Sequence, residues 1–370
     1  MIGYCTNVHA GATLDEVVAN LQNYSSLIQH TVGKPIGIGL WLANESLCEN
    51  TASRLKDCLE EHDLLVCSIN GFPFGNFHSN VVGRNVYEPT WCDESRLHYT
   101  TQLASVLAVL LPKNNSGSIS TLPLGWGEEW DGDDQAGSML LRCVEFLEEL
   151  EQTSGKLIHL DIEPEPGCRL QTARDLAMFI QTQFGDDQRV RRYIRICYDT
   201  CHAAVMREDP QDSLNVYEQA GLVIGKVQLS SAIDVDFDSI SGDEKESAVA
   251  ALQTLAEPRY LHQTTIIDQG EMSFYSNLLE APIDHPTGHW RVHFHVPIHE
   301  QTIGPLGTTQ DDLIRTIGLL PSSVDTQWEV ETYTWDVMPT TYQENEMIQS
   351  ISSEICWAEK QMQQAQKNYE

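Results

Sequence analysis

Four oxygen-bearing side chains stand at or near the ends of β-rich runs in this 370-residue chain: Glu163 closing "LIHLDIE" (157 to 163), Asp199 closing "YIRICYD" (193 to 199), Gln228 in "GKVQLSS" (225 to 231) and Glu331 in "WEVETYTW" (328 to 335). On neighbouring strands with side chains turned the same way, three carboxylates and one amide would converge on one point. Such a ring repels itself unless a divalent cation occupies its middle. Oxygen donors with a neutral amide favour Mn²⁺ or Mg²⁺, whereas His202, His293 and His295, if close, shift the preference to Zn²⁺ or Co²⁺. Each residue alone has a plainer account. A strand-end glutamate also caps a helix or pairs with an arginine, and an amide in "KVQLSS" also bonds a neighbouring loop. The coincidence over four strands favours the cation.

The remaining polar groups fall at the same positions. His293 and His295 in "HFHVPIH" share one face of an extended segment, which makes them either a metal or anion grip or two solvent-facing histidines. His9 and Asn70 follow the first and third runs; His78 and His262 lie in loops, and the histidines suit substrate hydroxyls or general acid work as well as structural duty. Asp161 shares the parity of Glu163 one layer deeper and needs a hydrogen-bonded partner; Glu165, between Pro164 and Pro166, sits in a rigid turn facing substrate. Phe72, Phe74, Trp126, Tyr333 and Trp335 reach the same rim, where sugar and cyclitol faces stack on aromatics, although core packing explains any one of them equally.

The elements that must position these groups alternate along the chain. Further β-rich runs are "GYCTNV" (3 to 8), "IGIGLWL" (36 to 42), "LLVCSIN" (64 to 70) and "SISTLPL" (118 to 124), making eight in all. Amphipathic stretches cover 13 to 30, opened by a Thr13-x-x-Glu16 capping box, then 44 to 63, 93 to 111, 138 to 153, 170 to 184 and 309 to 319. Eight strands with a helix after most of them predict a single (β/α)8 TIM barrel spanning 1–370, ahead of an open doubly wound sheet. The connection between the seventh and eighth strands is long, and 259–300 within it is expected to be an insertion or lid. Residues 341–370 read as a C-terminal helix closing the barrel.

Composition narrows the partners. Acidic residues outnumber basic ones 54 to 22, a formal net charge of -32, so nucleic acid is excluded as a partner and a small-molecule metabolite is expected. The N-terminus has no basic, apolar leader pattern and no window reaches about 18 consecutive apolar residues, from which a cytoplasmic protein without an integral membrane segment is expected. The ten dispersed cysteines form no CxxC pair and read as reduced, mostly buried thiols.

The order Glu163, Asp199 with His202 three residues on, Gln228, then Glu331 resembles the xylose-isomerase-like TIM-barrel superfamily of sugar epimerases, isomerases and endonuclease-IV-type phosphoesterases. "GYCTNVHAG", "NGFPFGNFH", "LDIEPEPGC", "CYDTCHAAV", "KVQLSSA", "HFHVPI" and "ETYTWDVMP" resemble one branch of it, the EboE family of metabolite traffic proteins. The resemblance implies that Glu163, Asp199, Gln228 and Glu331 are metal ligands. It also implies that Glu163 and Glu331 stand on opposite faces of a substrate as catalytic base and acid, and that His202 meets a substrate oxygen or a second metal. The fourth run lacks the histidine of the trinuclear endonucleases. Two functions follow: a divalent-metal-dependent isomerase or epimerase of a sugar- or cyclitol-like metabolite in secondary-metabolite biosynthesis or export, or a non-catalytic carrier that keeps the metal pocket. A metal phosphoesterase ranks third because no Lys/Arg-rich phosphate cradle lies near the strand ends. The resemblance also implies partners encoded in the same metabolite-export gene cluster.

Overall fold

The structure, a computed structural model, describes residues 1–112, 115–320, 325–337 and 344–369. Strands β1 (Ile2–Cys5), β2 (Gly37–Trp41), β3 (Leu65–Asn70), β4 (Gly117–Thr121), β5 (Ile158–Ile162), β6 (Ile194–Asp199) and β7 (Ile224–Leu229) run parallel, and β14 (Gln327–Val330) closes the barrel between β7 and β1. Every residue of β1, β2, β4, β5 and β6 is buried, as expected where helices cover one face of a parallel sheet and the barrel core the other. The expected capping box is present: Thr13 accepts from the Glu16 N–H while the Glu16 carboxylate accepts from the Thr13 N–H at 2.9 Å. The long helices turn apolar stripes to the barrel, such as Leu97, Leu103 and Leu107 of Glu94–Leu110 and Leu140, Val144 and Leu147 of Asp133–Ser154.

The barrel interior is polar. Ser118 Oγ donates to Asp161 Oδ2 at 2.6 Å and His159 Nδ1 lies 2.5 Å from Asp161 Oδ1, which supplies the partner that Asp161 needs. Lys226 Nζ stands 2.9 Å from Glu329 Oε2, and Ser68 Oγ also donates to Glu329. Glycines make the room: a Cβ on Gly39 would collide with the Glu329 carboxylate, and one on Gly225 with that of Asp161.

Between β7 and β14 the chain builds an antiparallel sheet from β8 (Ile233–Asp236), β9 (Thr264–Asp268), β10 (Glu271–Tyr275), β11 (His289–Val292), β12 (Thr302–Ile303) and β13 (Leu306–Thr308), in the order β10-β9-β11-β8-β13-β12. Segment 259–300 supplies three of these strands, and the sheet extends beyond it on both sides. It packs with helix Asp243–Leu255 around its own core of Ile233, Val235, Leu252, Trp290 and Val292. Arginines tie it to the barrel: Arg207 donates to His289 O at 2.6 Å, and Arg291, held within the sheet by Asp234 at 3.0 Å, reaches Ala204 O at 2.9 Å and Asp312 at 2.8 Å.

Two sequence expectations change. The eighth strand ends at Val330 rather than 335, because residues Tyr333–Val337 coil into a 3₁₀ turn once the chain has passed the barrel wall. The stretch between β6 and β7 holds helices Thr200–Val205 and Pro210–Gln219, which are too short or too polar to stand out by periodicity. Helix Glu344–Tyr369 follows the expected C-terminal segment, of which 341–343 and 370 lie outside the described residues. It packs against helices Ser26–Val32 and Gln310–Leu319.

Candidate metal centre

Strand ends deliver the carboxylates. Glu163 follows β5 with its N–H on Thr121 O at 3.0 Å, and Glu331 follows β14 with its N–H on Leu229 O at 3.0 Å. Asp199 ends β6 and caps the next helix, its Oδ1 accepting from His202 N at 2.9 Å and from Ser230 Oγ at 2.8 Å. Oxygens of Glu163, Asp199 and Glu331 all lie within 4.8 Å of one another, and all three residues are buried.

Gln228 sits between them. Its Nε2 donates to Glu163 Oε1 at 3.1 Å, to Asp199 Oδ2 at 3.1 Å and to Glu331 Oε2, while its Oε1 accepts from Cys197 Sγ at 3.1 Å. An amide flip exchanges these atoms, so the same side chain bridges carboxylates through nitrogen or offers a cation its oxygen. Asn7 Nδ2 and Asn70 Nδ2 both donate to Glu331 Oε1, at 2.8 and 3.0 Å, and fix its orientation.

The electrostatics are those of crowded anions. Burial, then Glu331 and Asp199, push Glu163 well above the usual carboxylate range, and burial with Asp199 raises Glu331 to about 8. Asp199 takes the remaining charge. Burial works to raise it, yet its net displacement is downward because His202, His295 and the bonds from His202 N–H and Ser230 favour its ionised form. Glu163 Oε2 is buried with no hydrogen-bond partner. A buried acceptor without a donor, among carboxyls that cannot all ionise, fits a divalent cation.

Three histidines complete the wall, two of them from the insertion. His293 and His295 are buried, not solvent-facing. His202 Nδ1 meets Pro164 O at 3.1 Å, His293 Nδ1 meets Gln263 Oε1 at 2.7 Å and His295 Nδ1 meets Glu331 O at 2.8 Å. Because each acceptor is a carbonyl, each Nδ1 carries the proton and each Nε2 keeps its lone pair. The Nε2 atoms of His293 and His295 face each other at 3.1 Å, an arrangement that calls for a cation or proton between them. Burial lowers all three, His202 to about 4, so they stay neutral at pH 7 and able to ligate.

The cavity above is lined by Asn7, Asn70, Glu163, Glu165, the three histidines and Glu331, with apolar and phenolic side chains around them. Glu165 accepts from Tyr87 OH at 2.7 Å and Gln263 Nε2 at 3.2 Å, and burial raises it to about 8. Other expected contributors lie elsewhere. His9 pairs with Tyr4 OH at 3.1 Å and stacks on Tyr24 beside a separate small pocket, because β1 ends at Cys5 and a 3₁₀ turn carries it away. His78 Nε2 holds Asn7 O at 2.6 Å from behind; Trp335 is buried in the main core, and His262 bonds His293 O at 3.1 Å and Glu257 at 3.2 Å. Of the expected rim aromatics Phe72 and Tyr333 line the cavity, while Trp126 packs on Tyr87 and Phe74 on Tyr99.

Tyr87 and Gln263 were not anticipated, and no sequence signal marks Tyr87. Lys226 and Glu329 were legible in principle, since each lies two residues before a proposed ligand and shares its inward parity.

No protein-family model and no curated protein matches the chain. Among solved structures it is similar to a xylose isomerase-like TIM barrel protein from Mycobacterium smegmatis in complex with magnesium, with a TM-score of 0.53 and 9% identity over 98% of this chain and 97% of that one. It is also similar to the IOLI protein with a binding zinc atom (TM-score 0.48, 11% identity, 100% of this chain and 99% of that one). A third is 3-keto-D-glucoside 4-epimerase, YcjR, from E. coli (TM-score 0.39, 16% identity, 61% of this chain and 78% of that one). At these identities the likeness is one of architecture: the chain has the xylose-isomerase-like TIM-barrel fold. Among the described residues no helix is long and apolar enough to cross a membrane.

Proposed function

We propose that this protein is a divalent-metal-dependent isomerase or epimerase of a small polyhydroxylated carbonyl compound. One observation carries the reading: Glu163 and Glu331 come from strands three steps apart around the barrel, yet both reach the Gln228 amide and both line the cavity. Two carboxyl groups facing each other across a binding space can remove a proton from one face of a carbon and return one to the other.

Glu163, Asp199, Gln228 and Glu331 would hold the ion, Mn²⁺ or Mg²⁺ by their oxygens, and His202, His293 and His295 offer nitrogen to Zn²⁺ or Co²⁺ beside them. A bound ion polarises adjacent carbonyl and hydroxyl oxygens and acidifies the C–H between them. Glu163, whose Oε2 has no partner, is the base; Glu331, oriented by Asn7 and Asn70, is the acid. Glu165, Asn70 and the Tyr333 ring meet the substrate. The motif resemblance to EboE proteins supports a cytoplasmic role in secondary-metabolite biosynthesis or export with partners from the same gene cluster, which co-purification with those gene products tests.

The experiment is solvent deuterium exchange into a panel of ketoses and inososes with Mn²⁺ added. Exchange that requires the ion and is lost in Glu331→Gln supports the reading; binding without exchange would leave a metabolite carrier in its place.

A further inference from the structure

The lining of the cavity divides by chemistry. Its polar part, the floor, holds the carboxylates, histidines and asparagines described above; the rest is an apolar collar, in which Phe77, Val82, Val86 and Tyr260 pack as one cluster and to which Phe72 and Leu261 add. A bare sugar or cyclitol can stack on the aromatic members but leaves Val82, Val86 and Leu261 without an apolar partner.

Among the described residues no lysine or arginine lines the cavity. Nearby cations are engaged outside the lining: Arg84 lies over the Trp126 ring at 4.7 Å and pairs with Glu128 at 2.9 Å, Arg96 donates to Gly71 O and Phe72 O at 2.9 and 3.1 Å, Arg259 lies over the Tyr260 ring at 5.9 Å, and Lys226 pairs with Glu329. A phosphate or carboxylate on the ligand would therefore meet Glu163, Glu165 and Glu331 with no lysine or arginine among the described lining residues to pair with.

The collar is also built in advance. The loop carrying Phe77 to Val86 is stitched to the segment carrying Tyr260 and Leu261 by Val82 N and Gly83 N, which donate to Arg259 O at 2.8 and 3.0 Å, and by Tyr260 OH, which donates to Phe77 O at 3.3 Å. A wall ordered before the ligand arrives loses less entropy on binding.

We propose that the site takes a neutral, amphipathic polyol, a sugar or cyclitol whose hydroxylated end meets the floor and whose other end bears an aryl or alkyl group seated in the collar. This rests on the isomerase reading for the orientation of the polar end. The collar then selects the substrate, and the floor performs the chemistry.

The test is calorimetric binding to the Mn²⁺-loaded protein of methyl, hexyl and phenyl glycosides in gluco, galacto and xylo series, with glucose 6-phosphate and xylulose 5-phosphate alongside. The expected result is binding of phenyl or hexyl members about tenfold or more tighter than the methyl member of the same series, with the phosphates weakest. Leu261→Asn and, separately, Val86→Ser should shrink that ratio, and near-native circular dichroism in either one suffices for the comparison. Equal affinities within every series, tighter binding of a phosphate, or no binding in any series overturns the proposal. The two readings fail separately: metal-dependent exchange into the free ketoses or inososes, with phenyl and methyl glycosides bound equally, sinks only this one, and aryl-selective binding with no exchange into any free ketose or inosose sinks only the isomerase.

Discussion

Lys226 Nζ lies 2.9 Å from Glu329 Oε2 inside the barrel, with both side chains wholly excluded from solvent. Burial alone would lower the lysine, but Glu329 holds it well above its ordinary value, so the ammonium is retained one layer beneath three crowded carboxyls. Removing one partner strands the other charge. Lys226→Met is expected to cost about 3–5 kcal/mol in urea unfolding, and Lys226→Met with Glu329→Leu should recover a large part of it. A single variant as stable as wild type would show that the pair is not what fills the barrel.

Cation binding should follow the donor sets. The Glu163→Ala, Asp199→Ala double variant is expected to lose a stoichiometric ion retained by wild type through dialysis, read by elemental analysis. His293→Ala with His295→Ala should weaken Zn²⁺ or Co²⁺ at least tenfold while leaving Mn²⁺ nearly unchanged. Equal loss of every metal in the histidine variant would mean that the two donor sets act as one.

Stability of the metal-free protein should fall as pH rises above about 6.5. Glu331 and Glu165 are raised from 4.5 to about 8, so between these values the folded state binds protons that the unfolded chain has lost, and stability drains as pH climbs through 8. Below about 6.5 the trend reverses in part, because His202, lowered to about 4, stays neutral while the unfolded chain takes up a proton. Thermal melts from pH 6.5 to 9 after chelation should show a falling midpoint, and added Mn²⁺ should flatten it. A rising midpoint in the chelated protein contradicts the assigned shifts.

Asn7 and Asn70 share one oxygen of Glu331 and touch no other carboxylate of the cluster. Asn70→Ala is expected to lower the rate of exchange roughly 10–100-fold with metal content intact, as loss of an orienting partner does. A variant that loses metal and rate together would make Asn70 part of the binding cage instead.

Much of the site was legible because a strand fixes parity. Glu163, Asp199, Gln228 and Glu331 fall at strand ends whose apolar runs are plain in the sequence, and the structure brings the four together. His9 misled because the first run reads as a strand to Val8, whereas pairing with β2 stops at Cys5 and the next three residues coil. Trp335 misled for the same reason at the other end, where alternation continues on paper after Val330 has left the barrel wall. The insertion sheet was hidden because strands of two to five residues with mixed burial carry little periodic signal. Gln263 and Tyr87 meet only through tertiary contacts, 176 residues apart in the chain, which no local pattern encodes.

The position of β14 has a consequence for how the protein is made. During synthesis the first seven barrel strands emerge with a gap between β7 and β1, and about 100 residues must follow before β14 is available to fill it, a delay of roughly 5–20 s at bacterial or eukaryotic elongation rates. The sheet encoded in that interval pairs neighbours by short antiparallel connections and can form beside the open barrel. Glu331 arrives with the strand that seals the seam, so a nascent chain acquires its full ligand set only when the cylinder is shut. Metal uptake would then serve as a readout of ribosome-released, completely closed molecules, discriminating them from arrested intermediates that already contain most of their secondary structure.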